Sequence, residues 1–289
     1  MAHLAAHRPT GTADRVWLDG HATTPWSRAA WAMAIADLRG GVAAWRLWSL
    51  MARNDIRHRY RRSVLGPFWL TLSVTILIGA LSILYGALLG IPLQSYLPFL
   101  TLGFLTWSFL SALVSDGCLS LIEGDSYLKQ ARLPKSMFVY RIVWRNVLVF
   151  AHNLIVFVVV AIWFEIPVTW WSLAGVAAFV VLCVNGVWIG LLLGMVSARF
   201  RDLPQIVAAG MQVLFFVTPI LFKPELLGRR AFLLEYNPLL HFVAIVRQPL
   251  LGEVPRLDNW LVVLAVTVAG ATATFLMFVR FRARITYWL

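Results

Sequence analysis

The sequence predicts an all-α integral membrane protein with six transmembrane helices, and three observations support this class. Hydrophobic residues make up 60% of the 289 residues and charged residues 13%, whereas soluble domains carry roughly 45–50% and about 25%. The mean hydropathy is +0.77. Six apolar runs are each about as long as the ~20 residues that a helix needs to cross a bilayer. A soluble enzyme with a peripheral anchor is excluded, because a soluble fold has no interior large enough for so much apolar sequence.

The basic residues divide unevenly among the segments between these runs. The runs span about residues 66–90, 98–121, 143–164, 170–196, 204–222 and 258–280. Counting alternate segments puts twenty Lys and Arg on one side of the membrane and five on the other. Because basic residues are retained in the cytoplasm, both termini of this multi-pass membrane protein are expected there. The net charge of +12 therefore reflects topology, and no nucleic-acid partner is expected.

The region before the first run predicts a helix at the membrane surface. Trp31, Ile35, Leu38, Val42 and Trp45 recur every three or four residues, which is one face of an amphipathic helix. Tryptophan suits the headgroup region, and the Gly-Gly pair that follows Arg39 is expected to break this helix in two. Four regions are predicted: a flexible cytoplasmic tail at 1–27, an amphipathic and basic interface region at 28–65, a six-span domain at 66–282 and a cytoplasmic tail at 283–289.

The segment 232–251 is apolar but contains Pro238 and Pro249, and the stretch between them is too short to cross a membrane. Two interpretations remain open. It is a pair of short helices that dip back into the outer leaflet, which is allowed where protein or water covers the backbone. Alternatively, it is an amphipathic loop on the outer surface.

An arginine-rich stretch leads into the first run, from Arg53 to Trp69. Asp55 can pair with Arg59 four residues later on a helix, and Gly66-Pro67 marks the turn into the membrane. One interpretation is a positive-inside anchor. The other is a cytoplasmic entry point for an anionic headgroup, such as that of a pyrophosphate lipid, held by arginine forks. The candidates are Arg53, Arg57, Arg59, Arg61 and Arg62.

The segment 123–145 is the longest predicted cytoplasmic loop. Asp125 or Ser126 is expected to cap a short helix that runs through Arg132 and ends before Pro134. Such a helix between two spans can transmit movement from a soluble partner. The alternative is an ordinary interfacial loop.

Two polar or small-residue patterns fall inside the runs. Asp116 is the acid placed within a span, and an intramembrane acid is costly without a partner. Counting depth along the third run predicts a polar clamp with His152 or Asn153, in preference to a proton relay. A second pattern is a set of glycines at 186, 190 and 194 in the fourth run, whose spacing of four predicts close helix packing.

Aromatic residues are abundant, with 18 Phe, 14 Trp and 7 Tyr. Aromatic faces stack on rings, sugar rings among them, so some of these side chains are candidates for lining a transport path, although each could equally face lipid or the core. The candidates are Phe68, Trp69, Tyr85, Phe104, Trp107, Phe215 and Phe216.

Catalysis by this chain is not expected. None of the three lysines follows a glycine, so the Walker A phosphate loop of an ATPase is missing. A membrane-embedded glycosyl- or phosphotransferase needs clustered carboxylates, whereas the 13 acids are scattered and no His/Cys cluster has metal-ligand spacing. We therefore expect no catalytic residue, no metal and no cofactor bound by this chain. A passive channel is disfavoured because nothing resembles a selectivity filter.

The arginine-rich helix running into Ser63-Val-Leu-Gly-Pro-Phe-Trp69 resembles the membrane subunit of bacterial polysaccharide ABC exporters, the type-2 permeases. The resemblance covers about residues 45–285. It continues through Lys129-Gln-Ala-Arg-Leu-Pro-Lys-Ser136, Tyr140-Arg-Ile-Val-Trp-Arg-Asn146 and Tyr236-Asn-Pro-Leu239 followed by Arg247.

The resemblance implies a homodimer that binds two copies of a separate ABC ATPase subunit, which carries the ATP and Mg. It also implies a place in the bacterial inner membrane, a gate helix near 28–50, outer re-entrant helices at 232–251 and a channel for a lipid-linked polysaccharide such as O-antigen. The aromatic candidates above would line the glycan path of this channel. A type-2 exporter of drugs or lipids is the alternative. A coupling helix near 125–133 would contact the ATPase through Asp125, Tyr127, Lys129, Arg132 and Lys135.

Overall fold

Long apolar helices form the body of the protein. The computed structural model describes residues 26–59 and 68–289, and this part contains helices and turns but no strand. Short 3₁₀ segments occupy Pro224–Ala231 and Arg282–Arg284. The helices are α1 Arg28–Ala43, α2 Trp45–Arg59, α3 Phe68–Leu89, α4 Leu93–Glu123, α5 Asp125–Gln130, α6 Ser136–Trp163, α7 Ser172–Arg199, α8 Leu203–Val217, α9 Phe232–Glu235, α10 Pro238–Leu250, α11 Leu257–Phe281 and α12 Ile285–Trp288.

Five of these helices, α3, α4, α6, α7 and α11, are long and apolar enough to cross a membrane. They correspond to five of the six predicted runs, so the all-α membrane class is confirmed. The remaining run, 204–222, forms a helix of only 15 residues before Thr218 turns to an extended conformation. At 1.5 Å per residue α8 is about 22 Å long, shorter than the ~30 Å hydrocarbon layer. The sixth span stays a prediction.

Helix α4 is the centre of the bundle and packs against α3, α6, α7, α8 and α10. Two thirds of its apolar window is buried, a larger share than in any other candidate span. Phe109 of α4 lies 5.0 Å from Phe150 of α6 and 5.1 Å from Phe179 of α7, measured between ring centroids. The core therefore forms where α4, α6 and α7 meet.

The crossing of α4 and α7 depends on glycines. An ideal Cβ on Gly117 would lie 2.9 Å from the Cα of Gly190, and one on Gly194 would lie 2.4 Å from Ser120 Oγ. The packing interpretation of the spaced glycines on α7 agrees with these distances. Gly117 is the partner on α4 that the sequence does not reveal, since it belongs to no repeated spacing.

Glycines also explain why the first helix does not break where the sequence predicts. α1 runs through Gly40 and Gly41, and the interruption falls at Ala44. A Cβ on Gly41 would lie 2.3 Å from Ser136 Oγ, and one on Gly40 would lie 3.1 Å from Pro134 Cγ. The pair therefore serves the close approach of α1 to the start of α6. The predicted break is wrong because the glycines save space there without bending the chain.

The segment 232–251 folds as two short helices, α9 and α10, and not as a surface loop. Asn237 caps α10, because its Oδ1 accepts from the N–H of Leu239 at 3.0 Å. His241 is buried and its ring nitrogens contact Asn259 Oδ1 at 2.7 Å and the carbonyl oxygen of Glu235 at 2.9 Å. α10 packs against α4, α7 and α11. The depth of these helices in a membrane stays a prediction.

The chain ends are only partly described. The predicted tail at 1–27 lies almost wholly outside the described residues. At the other end, Ile285 of α12 is fully buried, and Arg201 Nη2 donates to the carbonyl oxygen of Leu289 at 3.0 Å. The last residues therefore pack against the bundle as a short helix, and the cytoplasmic location expected for 283–289 stays a prediction.

Candidate functional site at the α5 end

One end of the bundle, here called the α5 end, brings together α1, α2, α5, α12, the start of α6 and the end of α11. Two groups of charged residues lie there. The Asp37 junction consists of Asp37, Lys135, Ser136 and Arg282. The Asp55 cluster consists of Asp55, Asp116, Glu123, Arg141 and Arg145.

Asp37 is fully buried and links three elements. Its Oδ1 accepts from the backbone N–H of Ser136 at 3.0 Å and from Ser136 Oγ at 3.0 Å. Its Oδ2 accepts from the backbone N–H of Lys135 at 3.2 Å and from Arg282 Nε at 2.8 Å. The first N–H groups of a helix have no partner within it. Asp37 of α1 therefore does for α6 what an N-cap side chain usually does.

Lys135 is part of this junction and is not exposed to a docking partner. Its side chain is buried and Nζ donates to the carbonyl oxygen of Arg282. Burial lowers the pKa of Lys135 from 10.5 to about 8; the charge of Arg282 adds to this effect and the charge of Asp37 opposes it. The expected contact of Lys135 with an ATPase stays a prediction, and its burial against the bundle at the start of α6 leaves little of its side chain for such a contact.

The predicted short helix is present as α5 but is shorter than expected. It ends at Gln130, because Ala131 is extended, and Gly124 takes the cap position expected for Asp125 or Ser126. Asp125 instead occupies the first turn and forms an ion pair with Lys129 at 2.9 Å. The residue before a proline avoids helical backbone, so Leu133 could not have belonged to the helix, which ends three residues earlier at Gln130.

Three of the four remaining residues predicted to contact an ATPase form an exposed surface, while Asp125 is half-buried. Tyr127 is 49% exposed, and Lys129 and Arg132 are also exposed. These three residues are called the α5 surface below. It lies directly between the end of α4 and the start of α6, so a force on it acts on both helices.

In the Asp55 cluster, arginines of α6 bind carboxylates from two other helices. Arg141 grips Asp55 with two hydrogen bonds, from Nε at 2.7 Å and from Nη2 at 2.6 Å. Arg145 contacts Asp116 at 3.1 Å, Glu123 at 3.5 Å and Asp55 at 3.6 Å. Asp55 therefore faces α6 across the interface, and its expected pairing with Arg59 stays a prediction, because the side chain of Arg59 lies outside the described residues.

The expected partners of Asp116 are also corrected. Asp116 contacts Arg145 and accepts a hydrogen bond from Asn146 Nδ2 at 3.1 Å. His152 Nδ1 instead contacts the carbonyl oxygen of Leu148 at 2.8 Å, and Asn153 accepts from Thr71. The prediction places the cytoplasmic end of the third span at Arg145, whereas the apolar helix α6 already begins at Ser136. Arg145 and Asn146 therefore lie at the level of Asp116, and His152 and Asn153 lie about two turns beyond it.

The structure describes only part of the arginine-rich stretch from Arg53 to Trp69. Arg53 and Arg57 are exposed on α2. The side chain of Arg59, together with Arg61 and Arg62, lies outside the described residues. The opposite face of α2 packs on α6 and carries Asp55.

The candidate glycan-path aromatics fall into two separate groups. Phe215 lies 6.3 Å from Phe104, 5.9 Å from Trp107 and 5.3 Å from Phe216, between ring centroids. Tyr85 packs against the same cluster. In contrast, Phe68 and Trp69 stand exposed at the start of α3. The structure therefore brings five of the seven candidates together.

Comparison with known proteins connects this arrangement to a family. Residues 46–251 match the family described as ABC-2 type transporter. The chain belongs to the ABC-2 type transporter family. The matched region of this ABC-2 permease contains α5 and the whole Asp55 cluster, whereas Asp37 and Arg282 lie outside it.

Three relatives of the permease carry the name O-antigen export system permease protein RfbA. One from Klebsiella pneumoniae is 23% identical over 194 residues, covering 66% of this chain and 74% of that protein. A second from the same species is 21% identical over 203 residues, covering 69% and 78%. One from Myxococcus xanthus is 22% identical over 192 residues, covering 65% and 74%.

Proposed function

We propose that this permease is the membrane channel subunit of an ATP-driven exporter that moves a lipid-linked polysaccharide from the cytoplasm across the inner membrane. The cargo is O-antigen or a related cell-surface glycan. The observation that carries the proposal is the ABC-2 family match over residues 46–251. The names of the three relatives supply the substrate class.

In this proposal the chain works as a homodimer with two copies of a separate ABC ATPase subunit. ATP and Mg bind to that subunit, and the permease does no covalent chemistry. Both termini and the α5 surface face the cytoplasm, as the distribution of basic residues favours. The ATPase docks on the α5 surface, and its movement passes to α6 along residues 131–135 and to α1 through the carboxylate of Asp37.

A type-2 exporter of drugs or lipids is the second candidate, because the family match alone does not distinguish cargoes. The arginine-rich stretch before the first span favours the glycan exporter, since arginine forks bind phosphate groups such as those of a pyrophosphate-linked carrier.

Charge reversal on the α5 surface tests the proposal. Arg132→Glu is expected to lower surface polysaccharide and to raise the pool of intracellular lipid-linked glycan, because the exposed arginine no longer fits its docking partner. The amount of permease in the membrane is expected to stay normal, since Arg132 is exposed.

Arg230→Glu is the matched control, because Arg230 is exposed in the 3₁₀ segment Pro224–Ala231, which the distribution of basic residues places on the side opposite to α5. It is expected to export normally. Normal surface polysaccharide in the Arg132→Glu strain would remove the docking role from the α5 surface.

A further inference from the structure

Helix α2 is attached to α6 along one narrow stripe. Trp48, Ala52 and Asp55 follow each other at spacings of four and three, so they share a face of α2. The Trp48 ring lies 6.1 Å from the ring of Trp144, and Ala52 is fully buried. Asp55 is the last residue of the stripe, and its carboxylate accepts two hydrogen bonds from Arg141. Among the described side-chain hydrogen bonds and ion pairs of α2, those of Asp55 are therefore the nearest to the end of the helix.

The other charges of the Asp55 cluster balance each other without Asp55. Asp116 and Glu123 belong to α4, and Arg141 and Arg145 belong to α6, so the two bundle helices contribute two charges of each sign. Asp55 is a third acid, supplied by the peripheral helix. Removing one partner of a buried ion pair is costly when a charge is left uncompensated. The departure of Asp55 leaves the other four charges balanced.

The grip on Asp55 is accessible from outside. The side chain of Asp55 is 19% exposed and that of Arg141 is 12% exposed, while Arg145 is 9% exposed. A phosphate offers a guanidinium the same pair of oxygen acceptors that a carboxylate offers. A phosphate can therefore replace Asp55 at Arg141 without any change in the arginine side chain.

A further donor lies on the same face of α6. The indole nitrogen of Trp144 is buried and has no hydrogen-bond partner among the described residues. Trp144 follows Arg141 by three positions and precedes Arg145 directly, and residues three or four apart are neighbours on a helix surface. An anion at Arg141 would have this N–H nearby. The exposed Arg53 and Arg57 raise the local concentration of anions.

We propose that Arg141, Trp144 and Arg145 form a phosphate-binding seat that Asp55 occupies at rest, and that an anionic phosphate or pyrophosphate group displaces Asp55 and frees the end of α2. The seat itself follows from the geometry. The identification of its natural ligand as the headgroup of a lipid-linked glycan rests on the proposed function.

The experiment measures exposure beneath α2 with a cysteine at Ala52. The full-length permease carries Ala52→Cys and Cys183→Ala and is reconstituted in lipid nanodiscs. The rate of modification by a maleimide is then followed. Cys118 is fully buried in α4 and serves as an internal control for intact packing. Three probes are added in turn: geranylgeranyl pyrophosphate, inorganic pyrophosphate, and phosphatidylglycerol in the nanodisc lipid.

Pyrophosphate is expected to accelerate modification of the cysteine at position 52 by about tenfold or more, because a hydrogen-bonded charged pair contributes roughly 1.5–3 kcal/mol. Acceleration by geranylgeranyl pyrophosphate alone would assign the seat to a lipid-linked headgroup. Acceleration by inorganic pyrophosphate as well would show that the phosphate group is sufficient, and acceleration by phosphatidylglycerol would assign a membrane phospholipid. No acceleration by any probe would overturn the proposal.

Two variants separate the seat from the attachment of α2. Asp55→Asn is expected to react rapidly without any probe. The charge exchange Asp55→Arg with Arg141→Asp restores an ion pair, so it is expected to react slowly, but its seat has lost an arginine and pyrophosphate should not accelerate it. An exchange variant that responds like the wild type would contradict the seat. The assay uses neither ATPase nor glycan, so its result is independent of whether the exporter assignment holds.

Discussion

Replacing Asp37 by alanine is expected to lower the free energy of unfolding by about 3–5 kcal/mol, the cost of breaking a buried ion pair. The carboxylate is fully buried and contacts the Arg282 guanidinium at 2.8 Å. Its loss also leaves the backbone N–H groups of Lys135 and Ser136 without their acceptor. Unfolding of the detergent-solubilised permease, followed by helical signal against denaturant, measures the change.

Two comparisons make this prediction specific. Asp37→Asn keeps an acceptor oxygen and should lose less stability than Asp37→Ala. Asp258→Ala removes an acid whose side chain is 71% exposed and which pairs only with a neighbouring arginine among the described ion pairs. Exposed pairs of this kind are worth about 0–1 kcal/mol. Wild-type stability in Asp37→Ala would show that the junction does not hold the three elements together.

Gly117→Ala is expected to destabilise the permease by about 1–3 kcal/mol or more, the usual cost of overpacking. The added methyl group would lie 2.9 Å from the Cα of Gly190, and backbone cannot move aside as a side-chain end can. The helices α4 and α7 would have to separate at the centre of the core. Thermal unfolding of the purified variant measures the loss.

Gly79→Ala is the matched control on α3, where nothing lies within 4 Å of an ideal Cβ. Alanine is favoured over glycine in a helix by ~1 kcal/mol, so this variant should be neutral or more stable. Both substitutions replace glycine by alanine, yet Gly117→Ala is expected to lower the stability and Gly79→Ala to leave it unchanged or raise it. A Gly117→Ala protein as stable as Gly79→Ala would contradict the close crossing.

The membrane class and five spans follow from the sequence, because runs of apolar residues need no knowledge of their neighbours. The Gly40-Gly41 pair shows the limit. Glycine permits both a break and a close approach, and only the proximity of Pro134 and Ser136 shows which applies. Residues 204–222 are an apolar run like the five that form long helices, but α8 ends early, where Thr218 takes an extended conformation.

The candidate site was predictable where its residues are local. A short helix before Pro134 follows from the capping and proline pattern, although its cap and its last residue differ from those predicted, and Tyr127 follows only from the family resemblance. The role of Asp37 could not be predicted from the sequence, because its partners at 135, 136 and 282 are distant along the chain. Arg141 and Arg145 were counted as topological charges of a loop. The signal of their role in the sequence is Asp116, an acid placed inside a span, which is costly without a partner.

Depletion of the permease tests the central claim most directly, with lipid-linked glycans and surface polysaccharide assayed in the same cells. Glycan export predicts that lipid-linked glycan accumulates inside while polysaccharide disappears from the surface, and the sugar composition of the accumulated material then identifies the cargo. Unchanged surface polysaccharide with no intracellular accumulation would contradict glycan export and would favour the drug or lipid exporter.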